Sequence, residues 1–135
     1  MICIDTNVVI AAISNRIPAV RHRLGEQLRG GAKLGLPVIA LFELRYGYAR
    51  STRRAESEQL LQTLLTQGVD VLPFESADAA HAGEIRAQLE AMGQPIGAYD
   101  YLIAAQARCR GATLVTANTR EFARVPGLVA IDWAA

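Results

Sequence analysis

An α/β fold, with a mostly parallel central sheet and helices on both faces, is predicted by two observations. Short apolar runs of strand length alternate with longer stretches of helical spacing along the whole chain. The 135 residues are 51% apolar and 20% charged, which suffices for one core and excludes disorder as the main state. No repeat, linker or low-complexity tract divides the chain, so residues 1–135 are expected to form a single domain.

Ile2–Ile4 is a short apolar run and reads as a buried strand ending at Asp5. Thr6 or Asn7 is the expected cap of a short helix over Val8–Ile13. Pro18 suits the first turn of a second helix, which stops at Gly30-Gly31. Lys33–Leu36 is extended, and Pro37 marks its end. Ile39–Ala49 is apolar enough for a buried helix. Ser51 or Thr52 opens another, with Leu60, Leu61, Leu64 and Leu65 at helical spacing. Gly68 breaks the chain before a strand over Val69–Phe74. Ser76 is the expected cap of a long helix to about Met92, with Ala80, Ile85 and Leu89 inward. After a loop over Gly93–Gly97, a helix spans Ala98–Arg110 and stops at Gly111. Thr113–Thr116 is a strand. Asn118-Thr119-Arg120-Glu121 has the form of a capping-box relative and opens a short helix. Pro126-Gly127 turns the chain into a last strand, Leu128–Ile131.

Composition narrows the function classes. The uncharged stretches Thr6–Asn15 and Leu34–Phe42 are far short of the roughly 20 apolar residues of a membrane helix. Asp5 interrupts the N-terminal apolar run before a secretory signal can form. Cys3 and Cys109 make neither a disulfide framework nor a CxxC pair, so a cytoplasmic, reducing environment is expected. The net charge of +1 hides an asymmetry. Residues 1–54 carry nine basic and three acidic side chains, whereas residues 55–135 carry five and ten. Every cation but Lys33 is Arg, whose planar fork suits phosphate oxygens. An anionic partner on the basic side and a merely solvated helix face both account for this split.

In a parallel sheet, ligands bind beyond the carboxyl ends of the strands. Asp5 directly follows the first strand there, and Asn118 and Glu121 follow the Thr113–Thr116 strand. Asp100 lies near the start of its helix among apolar neighbours. Glu43 is the only charge in Leu34–Leu44. Each has an ordinary reading alone: Asp5 as a cap, Glu43 as the partner of Arg45 or another Arg, Asp100 as a dipole residue, Glu121 as a capping-box acid. Together, carboxylates in apolar stretches are costly unless a cation compensates them. Their oxygens suit Mg²⁺ or Mn²⁺. Asp78, His81 and Glu84, three apart on one helix, read as a solvated face rather than a metal site. Tyr99 and Tyr101 flank Asp100, and for each both base stacking and packing stay open. No GxGxxG follows the first strand, and no late Lys serves a phosphotransfer site.

Four blocks carry a resemblance: Ile4-Asp5-Thr6-Asn7; Phe42-Glu43-Leu44-Arg45-Tyr46-Gly47; Ile96-Gly97 with Asp100-Tyr101-Leu102-Ile103-Ala104-Ala105; and Thr116-Ala117-Asn118-Thr119-Arg120-Glu121-Phe122 with Val125-Pro126-Gly127-Leu128. In this order, over essentially the whole chain, they resemble PIN-domain proteins, most of all the VapC-type toxins of bacterial toxin–antitoxin pairs. The resemblance implies a PIN-like three-layer fold and a Mg²⁺- or Mn²⁺-dependent endoribonuclease that leaves a 5′-phosphate and a 3′-hydroxyl. It places metal ligands at Asp5, Glu43 and Asp100, which with Glu121 form the catalytic set. Thr6, Asn7, Thr116 and Asn118 support them. Some members carry Asp where this chain has Asn118, so Glu121 is expected to contribute through water. The implied partners are an RNA substrate, a VapB-like antitoxin and a second copy of the chain, with the leucines 60, 61, 64 and 65 as a candidate dimer patch. Arg45, Arg50, Arg53 and Arg54 are the candidate RNA-binding residues. A catalytically silent module of the same fold, binding RNA or protein, is the alternative. It is expected to have lost one of the acids, and none is lost.

Overall fold

The computed structural model describes residues 1–134. The elements run β1 (Ile2–Ile4), α1 (Thr6–Ser14), α2 (Pro18–Arg29), β2 (Leu34–Pro37), α3 (Val38–Ala49) and α4 (Arg54–Thr66). They continue with β3 (Val69–Leu72), α5 (Ser76–Ala91), α6 (Ala98–Cys109), β4 (Thr113–Val115), α7 (Thr119–Phe122) and β5 (Val129–Ile131).

The strands form one five-stranded sheet in the order β3-β2-β1-β4-β5. Every pairing is parallel, with Cys3 opposite Gly35 on one side and Leu114 on the other. Parallel neighbours need crossovers, and right-handed crossovers set the layers. From β1 the chain steps outward to β2 and β3, which places α1–α4 on one face. It then returns past β1 to β4 and β5, which places α5–α7 on the other. The direction of winding therefore reverses between β1 and β4. At such a switch point the loops after the two strands part and leave a crevice.

The central strands are apolar because both of their faces are covered. Cys3, Ile4, Leu34, Leu36, Leu114 and Val115 are fully buried. Gly35 is needed beside them: a Cβ there would lie 2.6 Å from Leu72 Cδ1. The edge strand β5 is different, with Val129 60% exposed.

Several expected boundaries and facings shift, each for a local reason. Asp5 itself caps α1, accepting from the Thr6 amide at 2.8 Å, so Thr6 and Asn7 are helical. Ser51 Oγ accepts from the Arg53 amide in the turn before α4, and the helix starts at Arg54 instead of Ser51 or Thr52. The cap of α5 is Glu75, not Ser76, in a reciprocal box with Asp78. Along α5 the inward small residue is Ala82, while Ala80 faces solvent. Asn118 makes no side-chain cap for α7. β3 ends at Leu72, short of Phe74, because Pro73 has no N–H to continue the ladder. The expected leucine dimer patch is divided: Leu61 and Leu64 are buried in the core and Leu65 is half-buried, leaving Leu60 exposed. No helix among the described residues is long and apolar enough to cross a membrane.

Candidate active site

Asp5 and Thr116 lie at the carboxyl ends of β1 and β4, on either side of the switch point. Asp5 is 4% exposed and Thr116 fully buried. The Thr116 hydroxyl donates to Asp5 Oδ2 at 2.8 Å. The Thr6 amide donates to Asp5 Oδ1, and Asn7 Nδ2 approaches Oδ2 at 3.4 Å. Asp5 is thus both a helix cap and a carboxylate fixed in the crevice.

Thr6 extends the set to α3. Its hydroxyl donates to Glu43 Oε1 at 2.9 Å. Glu43 stands one turn into α3 and pairs with no Arg. Arg45, two residues on, points to another face of the helix and reaches Glu58 at 3.8 Å. Asp100 enters from the first turn of α6 and is half-buried. Gly97 leaves room for it, since a Cβ there would meet Asp100 Oδ2 at 2.9 Å. On the β4 side, Thr116 Oγ1 accepts from the Asn118 amide at 3.0 Å. Asn118 Nδ2 donates to Glu121 Oε2 at 2.9 Å. Asn7 Oδ1 accepts from the Ala117 amide and so ties α1 to the same loop.

The electrostatics are those of crowded negative charge. Burial raises the Asp5 pKa by more than the hydrogen bonds from Thr116 and Thr6 lower it. Burial also raises that of Glu43, against the Thr6 bond and helped by the charge of Asp5. Asp100 is pushed up to about 6, first by burial and then by the charges of Asp5, Glu43 and Glu121. None of the ion pairs among the described residues involves these four acids. The excess is therefore uncompensated from within the chain.

A divalent cation fits this donor set in chemistry, since all four acids offer hard oxygens. Among the described residues no three His, Cys, Asp or Glu side chains stand close enough together to enclose an ion. One or two carboxylates with waters completing the shell is the arrangement Mg²⁺ commonly adopts.

With this geometry in hand, the comparisons with known proteins are decisive. Residues 2–128 match the PIN domain. The chain belongs to the PIN-domain family. It is 40% identical over 130 residues to the tRNA(fMet)-specific endonuclease VapC of Shigella flexneri, covering 96% of both chains. It is 34% identical, over the same shares, to ribonuclease VapC2 of Rickettsia felis. The crystal structure of VapBC2 from Rickettsia felis bound to promoter DNA superposes with a TM-score of 0.90 at 30% identity. That superposition covers 98% of this chain and 99% of the other. VapBC-1 of nontypeable Haemophilus influenzae superposes at 0.87 and 32% identity over the whole of both chains.

In this PIN domain hydrogen bonds join Asp5, Thr6, Asn7, Glu43, Thr116, Asn118 and Glu121 around the switch point, and Asp100 feels the charges of the other three acids. The four expected RNA-binding arginines do not form one set. Arg50 lies on the Glu43 face of α3, with its guanidinium 4.8 Å above the Tyr46 ring. Arg53 pairs with Glu56 at 3.1 Å, and Arg54 opens α4. Of the Asp78–His81–Glu84 series only Glu84 stands in solvent as expected. Asp78 is buried and takes Arg110 at 2.8 Å, while Arg108 donates to His81 Nδ1 and to Glu84. These contacts clamp α5 to α6. Tyr101 is buried and its hydroxyl accepts from the Ile96 amide, so it packs; Tyr99 is half exposed beside Glu43.

The sequence reading missed two positions. Gln106 is fully buried on α6. Its Nε2 donates to the Leu72 and Pro73 carbonyls, and its Oε1 accepts from the Ile39 amide at the start of α3. It links three elements below the site, and its signal was a lone amide in the apolar run Leu102–Ala107. Gly97 belongs to a loop end and to the Ile96-Gly97 block of the resemblance but was given no role, and nothing local to it marks its proximity to the Asp100 carboxylate.

Proposed function

We propose that this chain is an endoribonuclease and the toxin of a toxin–antitoxin pair, with Asp5, Glu43 and Asp100 as metal ligands and Glu121 completing the catalytic set. One observation carries the reading: four acids from four separate segments line the switch-point crevice with no internal cation, and burial together with the charges of Asp5, Glu43 and Glu121 pushes the pKa of Asp100 up to about 6. The curated relatives are named as ribonucleases, and the solved neighbours are complexes of toxin with antitoxin.

Asp5, Glu43 and Asp100 would hold the cation, Mg²⁺ or Mn²⁺, one or two of them directly and the rest through its waters. Bound there, a divalent ion supplies Lewis acidity to a phosphate and acidifies a water. Thr116 and Thr6 fix the Asp5 and Glu43 oxygens in place. Asn118 holds Glu121 at the crevice rim, where it reaches substrate or ions through water. Attack by water on phosphorus with departure of the 3′-oxygen gives a 5′-phosphate and a 3′-hydroxyl. Exposed Arg50, Arg53 and Arg54 draw the RNA backbone toward this edge, the first from within the Glu43 face.

The antitoxin has a suitable seat on the other side of α1. A groove of about 320 Å³ runs between α2 and α4, lined by Ile13, Leu24, Leu28, Leu60 and Leu64 with Arg21 at its edge. An amphipathic helix fits such a groove, and a basic side chain beyond it would meet the unpaired acids. A homodimer belongs to the same proposal and is read by light scattering.

The test is sequencing of RNA 5′ ends after brief induction, with Asp5→Asn, Glu43→Gln and Asp100→Asn as controls. Discrete new 5′-phosphate ends are expected from the unaltered chain. Each substitution should reduce them by at least about 100-fold with the fold intact, since even partners that only orient a metal ligand are worth 10–100-fold. Undiminished cutting by a folded variant would remove that residue from the site.

A further inference from the structure

A second concave surface adjoins the acids. It is a groove of about 570 Å³ lined by Thr6, Phe42, Glu43, Tyr46 and Tyr99. Thr6 and Glu43 belong to both surfaces, so the two are continuous. The remaining three residues are aromatic, and each is about half exposed: Phe42 49%, Tyr46 56%, Tyr99 49%. Large aromatics seldom stand open in a group without a partner. Phe42 and Tyr99 meet edge to face, with centroids 5.3 Å apart and planes at 71°, which forms a corner of two ring faces. Tyr46 follows one turn along α3. Its ring lies under the Arg50 guanidinium, which also donates to its hydroxyl at 3.3 Å.

We infer that this groove is a nucleobase subsite: an unpaired base next to the scissile phosphate stacks against Phe42 and Tyr99, and Arg50 over Tyr46 takes the neighbouring phosphate. The inference rests on the ribonuclease reading and narrows its substrate to single-stranded or loop RNA. A base held in a duplex has no free face for these rings, whereas an unpaired base has two. The charge pattern agrees. Glu43 lines the groove, and its carboxylate repels bare phosphate but accepts from the exocyclic amino groups of a base. A second copy of the chain suits the groove less well. It would cover Glu43, which the proposed reaction needs open to cation, water and substrate.

The experiment is a cycle between base and ring. Binding of a fluorescent single-stranded oligoribonucleotide is measured by anisotropy in the Asp100→Asn background, with an abasic residue moved through the positions flanking the cleavage site. At one position the abasic RNA should bind about 5- to 150-fold more weakly, the range of one base–aromatic stack. Tyr99→Leu should weaken intact RNA by a similar factor yet lose nothing more with the abasic RNA. Tyr99→Phe should retain binding. Insensitivity to every abasic position, or losses from Tyr99→Leu and the abasic residue that simply multiply, would overturn the subsite. So would a change in assembly mass for Tyr99→Leu by light scattering, which would assign the groove to a second copy. The wild-type chain is assayed for cleavage in parallel. Cleavage without the coupling rejects only the subsite; coupling without cleavage rejects the ribonuclease reading and leaves a binding groove.

Discussion

Replacing Thr116 by Val tests how the fold holds its central acid. The two side chains have nearly the same shape, so the substitution exchanges a hydroxyl for a methyl in a fully buried position without opening a cavity. Two hydrogen bonds are lost: the 2.8 Å donation to Asp5 Oδ2 and the 3.0 Å acceptance from the Asn118 amide. The first is charge-assisted and contributes about 1.5–3 kcal/mol. The second involves a partly buried amide that water can reach, and adds under about 1 kcal/mol. A total of about 2–3 kcal/mol corresponds to a Tm lowered by about 6–10 °C in a chain of this length. The Asp5 carboxylate would keep the Thr6 amide but lose its side-chain anchor at the end of β4, so RNA cleavage should fall about 10- to 100-fold. Calorimetry in chelator excludes any contribution from bound metal, and cleavage is followed separately on a single-stranded RNA. Thr116→Ser keeps the hydroxyl and loses one methyl, about 1 kcal/mol. It should cut within a few-fold of wild type. A Thr116→Val chain that melts and cleaves like the wild type would refute the argument.

Other substitutions probe separate parts of the same reasoning. Gly97 has φ −59° and ψ 148°, which alanine adopts freely, so Gly97→Ala should leave the Tm level or raise it slightly while displacing Asp100. Cleavage should drop about 10-fold, and a variant of unchanged rate would show that the Asp100 position is not critical. Asp78 is raised by burial but lowered more by its bonds from Arg110 and the Glu75 amide, giving a net pKa below the ordinary value. Its stabilisation is therefore whole above its unfolded pKa of about 4 and is lost as pH falls through the lower folded value. Asp78→Asn should cost about 2–3 kcal/mol at neutral pH and little in strong acid. Superimposable acid-unfolding curves would contradict this. Gln106→Leu leaves the Leu72 carbonyl without its partner from α6 and should cost about 2 kcal/mol in urea unfolding. Hydrogen exchange should then quicken first around β3 and the start of α3, and uniform exchange would argue against a local anchor.

The sequence by itself determined the alternation of strands and helices, because strand-length apolar runs and helical periodicity are local signals. The parallel arrangement followed from that alternation. Asp5 and the Thr116–Glu121 segment were legible as functional candidates because polar residues directly after buried strands lie at the carboxyl edge in any parallel sheet. Strand order is a different matter. Nothing local says that β4 returns beside β1, and that return alone brings Thr116 within 2.8 Å of Asp5 across 111 residues. The Thr6–Glu43 bond, the close fit of Gly97 to Asp100 and the buried Gln106 likewise join segments that share no periodicity. Side-chain facing was misread where a partner distant in sequence outweighed the local pattern. Asp78 looked solvated on α5 until α6 supplied Arg110, and Tyr99 and Tyr101 were equivalent until the Ile96 amide claimed the hydroxyl of one. Periodicity decides how a segment folds, but charge compensation and packing between distant segments decide which of its side chains become a site.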